Sequence, residues 1–561
     1  RSMAAANAVS LSNGSVQGGA RVRLAGNRAT QVNAEGGTAL VNSVGVYSQA
    51  SVQGGTITLE RNTAHNVRTQ GASSQVLGGG RSKNGIAVAN GVYLEGHEKT
   101  ELNRANVTVR GNRATNVQAD GGRVNANAVA VNGRGKVSGG TIVLDGNRAN
   151  RISSQGDEAT ALGHAVNRGV GHSHANTLQI SGQMRNSQVG IARNSATGVS
   201  ANQGTAAANS VTVGSEGALD NARVRVAGNT STNVQAQNKQ MALAASVQND
   251  GQIDNAGIHV LKNRTNARAS RGDALAASVY NRANASISNG STVLLQNNQG
   301  GVTEQGQAYS VDNRGQIHAS RIAVTANRGH VRDKGMVSSV ENSKDIKSST
   351  IVLSGNTNSS ATQGGIANSV RNSGLLENSS VVVANNRGQA QMGGQVNSLE
   401  NSGQMRNTSV TIAGNRAQTA TGGGLVNSVK NSGQMQGATV AVLGNSGSAT
   451  GGGKLNSVEN KGRMTGNVII AGNRGTAAGG TVNSVVNHGD ISGTVLIAGG
   501  NGTAGAGGVT NAVINRGSIN GTVAIVGNQQ VAGPGGAVMN KTSAGVTRQS
   551  VIVNGPGAMY K

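Results

Sequence analysis

The sequence predicts an all-β fold, a right-handed parallel β-helix of about 17 coils. Three observations predict it. Short V-x-V segments recur along the 561 residues; a second motif built on Asn-Ser-Val alternates with them; and the composition holds no Phe, no Trp, no Cys and five Tyr against 87 Gly. A thick globular core of this length uses aromatic residues to fill its volume. A core of Val, Ile, Leu and Ala suits a long, thin interior instead.

The repeat is clearest at Val426 to Gly433 (VNSVKNSG), with relatives at Ala367, Val396, Leu455, Val482 and Thr510, and degraded forms at Ala244, Ala308, Leu40 and Ala6. Its second apolar residue is a marker, running Val9, Val44, Val88, Val129, Val166, Val211, Val247 and onward to Val513 and Val538. The V-x-V motif appears as VRLAGNRA from Val22, VTVRGNRA from Val107 and VTIAGN from Val410. Each copy has period two and closes on Gly or Asn, the pattern of a short strand with one buried face and a turn. Two or three short strands per repeat are expected. Such a unit cannot bury its apolar face alone, so coils stack about 4.8 Å apart into a rod of roughly 80 Å.

Marker intervals are 32 to 45 residues in the first half, 29 or 30 in the middle and 25 to 28 at the end. One solenoid domain over 1–561 is expected, with longer, loop-decorated coils over 1–246, regular shorter coils over 247–553 and a tail at 554–561. The extra residues fall in Gln/Gly/Ser/Ala stretches such as Gln70 to Lys83 and Ser153 to Gly163, where surface insertion is cheap.

The residue after the marker varies freely (Lys430, Glu400, Arg371, Glu341, Asp312, Tyr280, Gln248) and therefore points outward. Side chains alternate along a strand, so the next residue points inward. This places asparagines inside on nearly every coil: Asn249, Asn281, Asn313, Asn342, Asn372, Asn401, Asn431, Asn460, Asn487, Asn515 and Asn540. Stacked identical amides can bond along the axis as an asparagine ladder. A structural ladder outweighs a ligand site as their reading. The V-x-V motif closes on a second row (Asn27, Asn112, Asn147, Asn229, Asn327, Asn415, Asn473), where asparagine suits the left-handed conformation of a tight corner.

Arginine often follows that row, at Arg28, Arg113, Arg148, Arg264, Arg328, Arg387, Arg416 and Arg474. In register these form a broken basic edge on a chain whose formal net charge is +25. The plain reading is a solvated surface; the sharper one is a docking line for anionic polysaccharide, lipopolysaccharide or extracellular DNA. Scarce aromatic residues argue against base stacking, and so against sequence-reading recognition of nucleic acid.

Catalytic chemistry has little to stand on. Glycan hydrolysis needs clustered carboxylates, and the 23 acidic residues are scattered. His172 and His174 are close in sequence but sit in a Gly/Ser/Asn stretch without a neighbouring carboxylate, and the Gly triplets at Gly422 and Gly451 lack the Asp of a Ca²⁺-binding repeat. No cofactor or metal site is expected, and the chain reads as a non-enzyme. The competing reading is a glycan-binding or glycan-cleaving β-helix, which calls for carboxylates and tyrosines lining a groove on adjacent coils. No apolar run has the length of a transmembrane helix. The chain starts at Arg1 without a charged-then-apolar leader, so an export signal is expected to lie upstream or to have been removed.

With its V-x-V strands, inward asparagines and absent cysteine, nearly the whole chain resembles the β-helical shafts of filamentous-haemagglutinin-like exoproteins and autotransporter passengers. The resemblance implies export to the bacterial cell surface or beyond, and a role as a fibre subunit or adhesin shaft in cell adhesion or biofilm matrix. Strand-like sequence reaches from Ala6–Leu11 to Ser550–Val553 without an amphipathic helix as a cap. Open coil ends invite pairing, so end-to-end self-association into fibres is expected, with the tail Asn554 to Lys561 at the junction.

Overall fold

The computed structural model describes residues 3–35, 38–70, 74–75, 81–82, 86–96, 100–120, 123–133, 135–155, 173–201, 205–236, 241–269, 274–303, 306–331, 335–361, 364–390, 392–420, 422–505, 509–526, 528–532, 537–538 and 551–554. All regular structure there is strand, and the stacked strands pair in parallel as a β-solenoid. The chain divides into two compact units, Arg1–Gln307 and Ala308–Lys561.

One turn of the second unit shows why this sequence coils. Gln395–Val396 lies in a sheet called A here, Leu399–Asn401 in sheet B, Gln404–Arg406 and Ser409–Ala413 both in sheet C, and Arg416–Ala420 in sheet D. Single left-handed residues break these strands, at Asn397 (φ 50°), Asn407 (φ 47°) and Gly414 (φ 62°). Such a kink needs one residue and no Gly/Pro cluster. That is why the sequence suggests two or three strands per repeat where the turn has five. Each strand pairs with its counterpart one turn on, as in Leu399 with Val429, Met405 with Met435 and Ile412 with Val442. Like side chains therefore stack on like. Val396, Leu399, Met405, Val410 and Ile412 are essentially sealed from solvent. Full burial of such a side chain is worth about 1.5–3 kcal/mol, and every turn repeats it.

In the first unit the same order holds, as Thr38–Val41, Val44–Ser48, Ser51–Gln53, Thr56–Glu60 and Thr63–Gln70. Here the sheet D strand has eight residues and bends at the left-handed Asn66 (φ 53°). Longer turns thus come partly from this bent strand and partly from insertions. One insertion carries a short antiparallel pair, Ser74–Gln75 with Ser82–Arg81. Of Ser153 to Gly163, residues 156–163 lie outside the described residues.

The register corrects three markers. Val44 pairs with Val92 in sheet B, whereas Val88 pairs with Leu40 in sheet A. Val129 pairs with Leu178, so Val166, itself outside the described residues, is not the next marker. Val538 pairs with Thr510 in sheet A, three residues short of the sheet B position held by Val513. Insertions ahead of the motif misled the spacing, and chance valines filled the gap.

The outward residues of sheet B do face away from the core but are only half-exposed, as at Arg371 and Lys430, or buried, as at Tyr280 and Asp312. The left-handed corner between sheets A and B folds their outer faces toward each other. In the first unit this cleft holds apolar clusters, with Leu40, Val88, Tyr93 and Ala130 in one and Ala207, Met241, Leu243, Leu275 and Tyr280 in another. In the second unit it holds charge in alternating register. Arg371 lies between Glu341 (3.7 Å) and Glu400 (3.6 Å), and Lys430 meets Glu400 at 2.8 Å.

Candidate functional site

The sequence-predicted asparagines of sheet B are fully buried at Asn249, Asn281, Asn313, Asn342, Asn372, Asn401, Asn431, Asn460, Asn487 and Asn515. Within the second unit each Nδ2 donates to the Oδ1 one turn on: Asn342 to Asn372 (2.7 Å), Asn372 to Asn401 (2.7 Å), Asn401 to Asn431 (2.8 Å) and Asn431 to Asn460 (2.8 Å). In the first unit the row begins where Val213 gives way to Asn249, whose Oδ1 accepts from the Gly251 N–H at 3.2 Å. Asn540 lies outside the described residues.

The second row, at the corner between sheets C and D, is also a buried ladder and not a set of left-handed residues. Asn415 donates from its backbone N–H and from Nδ2 to Asn445 Oδ1, both at 3.0 Å, and from Nδ2 to the Val383 carbonyl at 2.8 Å. Asn112 and Asn147 repeat this in the first unit. The left-handed residue is the one before, as at Gly111, Gly146, Ala326, Gly414 and Gly472. Because its identity varies, the constant asparagine beside it attracted the assignment.

A further ladder went unread. The first asparagine of the Asn-Ser-Val motif is itself left-handed and buried, at Asn42, Asn90, Asn127, Asn176 and Asn209, and again at Asn368, Asn397, Asn427, Asn456, Asn483 and Asn511. Its amides bond along the axis, as in Asn397 to Asn427 and Asn427 to Asn456, both at 3.0 Å. The serine beside it does likewise: Ser428 Oγ donates to the Val426 carbonyl and accepts from the Ser457 N–H at 2.9 Å. The signal was present in the clearest repeats, in the two letters before the marker, whereas the copies at Ala244 and Ala308 carry Ala245 and Tyr309 at the left-handed position.

These ladders fix the backbone that presents the arginines. Arg28, Arg113, Arg148, Arg264, Arg328, Arg387, Arg416 and Arg474 are all exposed, at the start of sheet D strands. In the first unit Arg113 stands directly opposite Arg148, and Arg28 is separated from Arg113 by Thr63. In the second unit Arg387 stands opposite Arg416, and Ser446 separates Arg416 from Arg474. The backbones of these paired arginines thus lie about 4.8 Å or 9.6 Å apart along the axis, whereas Arg148 and Arg264 are three turns apart, with Ser195 and Thr230 between them. Among the described residues none of the eight has a carboxylate partner. Arginines elsewhere do: Arg23 meets Glu60 at 3.2 Å, Arg193 pairs with Asp145, and Arg282 meets Asp250 at 3.3 Å.

Beside this edge in the first unit, the bend of sheet D opens a groove of about 680 Å³ lined by Gln31, Asn33, Asn66, Arg68, Asn116, Gln118 and Arg151. Asn116 Nδ2 donates to Asn66 Oδ1 at 3.0 Å. The described tyrosine side chains lie elsewhere, with Tyr93, Tyr280 and Tyr309 buried. His174 sits in a sheet A strand between Asn125 and Ala207; His172 lies outside the described residues. Among the described residues no group of three or more His, Cys, Asp or Glu is placed to hold a metal ion, and no helix is long and apolar enough to cross a membrane.

Two titrating groups report on the outer faces. His259 in sheet C is held below the ordinary imidazole value of 6.5 by burial first, then by the Arg225 and Arg223 guanidinium groups. For Glu400, burial pushes upward, but the Lys430, Gln395 and Arg371 contacts together hold it below the ordinary 4.5. For His259 the unfolded chain takes up the proton first, so its contribution is whole above pH 6.5 and is lost as pH falls from there through the lower folded-state value. Glu400 stabilises above pH 4.5 and loses its contribution below it. Denaturant midpoints at pH 7.5 and 5.5 are expected to differ less in His259→Gln than in the parent. An equal drop in both would detach the histidine from the acid sensitivity.

No protein-family model matches this chain, and no curated protein matches it. The fold and its ladders define the class as a parallel β-solenoid.

Proposed function

We propose that the chain is an extracellular structural or adhesive solenoid of a bacterial surface, a shaft or fibre subunit that docks anionic polysaccharide along sheet D. The observation that carries this reading is that each unit presents exposed arginines at one position of sheet D, without carboxylate partners among the described residues. A merely solubilising edge has no need of such register, and neighbouring like charges oppose one another unless a polyanion lies over them. The amide groove beside Arg113 and Arg148 favours a saccharide over lipopolysaccharide or DNA as that polyanion. Carboxamides both donate to and accept from hydroxyl groups, while guanidinium pairs with carboxylate or sulfate.

Binding to immobilised heparin, followed across a salt series, tests the proposal. Log affinity is expected to fall linearly with log salt, and the triple reversal Arg387→Glu, Arg416→Glu, Arg474→Glu is expected to reduce the slope by about two to three, near 0.7–0.9 per lost contact. Circular dichroism is expected to stay unchanged, because all three side chains are exposed. Binding indifferent to salt and to the reversals would reduce the row to a solvated surface.

A further inference from the structure

Sheet C of the second unit presents an outer face unlike the rest of the molecule. From Thr350–Ser354 through Ser380–Ala384 and Ser409–Ala413 to Val523–Val526, the strands stack in register over seven turns. The central outward row includes Val352, Val382, Ala441, Ile469, Leu496 and Ala524, and the row beside it Ala384, Ala413, Leu443, Ala471, Ala498 and Val526. All twelve are partly open to solvent, and neither row contains a charged residue. On the flank lie Thr350, Ser380, Ser409 and Thr439, and beyond them the ion-paired Lys347, Glu377 and Arg406.

The matching rows of the first unit carry Arg23, Glu60, Arg110, Asp145 and Arg225. Sheet C therefore does not require an apolar exterior, and the second unit has one regardless. Two of its turns run both sheet C segments together as single strands, Gln434–Leu443 and Arg463–Ala471.

We propose that this face is a docking surface for a second copy of the chain, packed sheet against sheet. Seven turns at about 4.8 Å, crossed by five residues at about 3.3 Å, give roughly 550 Å² per copy. Two such faces bury about 1,100 Å², just above the ~1,000 Å² that a specific interface needs, and about 550 Å² is at the upper end of the largest patches that monomers expose, which are often functional. A second copy has the same row spacing by construction. Its larger side chains, Val352, Val382, Ile469 and Leu496, can pack over the small Ala384, Ala413, Ala471 and Ala498 of the other copy, with a polar rim outside. This pairing is lateral, and it is independent of the arginine row.

Sedimentation velocity over a concentration series is the test. The full chain is expected to dimerise at micromolar concentration. Ile469→Lys with Leu496→Lys is expected to weaken dimerisation at least tenfold while leaving the heparin salt slope unchanged. The chain has no cysteine, so Ala441→Cys adds a single thiol at the centre of the face. Mild oxidation is expected to link it into a covalent dimer in the parent background and not beside the two lysines. A chain that stays monomeric at 100 times that concentration, or a dimer indifferent to both lysines and unlinked through Ala441→Cys, would overturn the proposal.

Discussion

Replacing Gly433 with alanine is expected to lower stability by about 3 kcal/mol, although only one methyl group is added. Gly433 sits at the corner between sheets B and C, and a Cβ there would lie 2.1 Å from the Gly403 carbonyl oxygen and 2.7 Å from the Ser402 carbonyl. Both neighbours are backbone, so no side chain can swing aside. The clash recurs up the corner, with 2.2 Å for Gly403 against Gly374 and 1.9 Å for Gly462 against Gly433. Relief means parting two turns, which strains the Gln434 N–H to Gly403 bond (2.9 Å) and the Ser432 N–H to Asn401 bond (2.8 Å). The chain contains its own comparison. Lys344 stands where the later turns have glycine, and there the Asp345 N–H to Gly315 bond stretches to 3.4 Å. Gly190 is the control: a Cβ there meets nothing within 4 Å, and its φ is not positive. Gly190→Ala is expected to shift the denaturant midpoint little or upward, since alanine restricts the unfolded chain. Equal midpoints for the two variants would refute the stacking argument.

That corner also shows what the sequence could and could not convey. Inward and outward sides were legible wherever the strand alternation was clean, because Lys430, Glu400 and Arg371 vary at one position while Asn431, Asn401 and Asn372 do not at the next. The fold class followed from the same alternation. The path of the chain was less legible, since a corner made by one left-handed residue leaves almost no compositional trace: Asn397, Ala326, Arg61 and Gly414 all perform it. Longer turns were misread for the same reason, with Val88 taken for Val92 across an insertion. The cleft between sheets A and B is a tertiary property, produced by the hand of a single corner. Nothing in one repeat says that Tyr280 and Leu275 will share a cluster. That the sheet D arginines have no carboxylate partner among the described residues is likewise visible only once neighbouring turns are in register.

The asparagine ladder makes the last prediction, and its value lies in how two substitutions combine. Asn431→Leu is expected to cost about 3 kcal/mol, at 1–3 for each buried polar group left without its partner. Asn401 Nδ2 loses the Oδ1 at 2.8 Å and keeps only the Gly403 and Gln434 carbonyls, at 3.3 and 3.4 Å. Asn460 Oδ1 loses the Nδ2 that reaches it at 2.8 Å. Leucine also differs in shape, so Asn431→Asp separates packing from hydrogen bonding: its carboxylate can accept from Asn401 but cannot donate to Asn460. Burial without a cation raises its folded-state pKa, so its deficit is expected to shrink as pH falls from neutral and to grow as pH rises. The double variant Asn401→Leu, Asn431→Leu carries the sharper expectation. One gap in a ladder leaves two loose ends, and widening that gap by an adjacent rung still leaves two, now at Asn372 and Asn460. The second substitution should therefore cost clearly less than the first, whereas Asn342→Leu with Asn431→Leu, two separate gaps, should cost close to the sum. If both pairs add alike, each asparagine is held by its own turn alone and the row is not a ladder in the energetic sense.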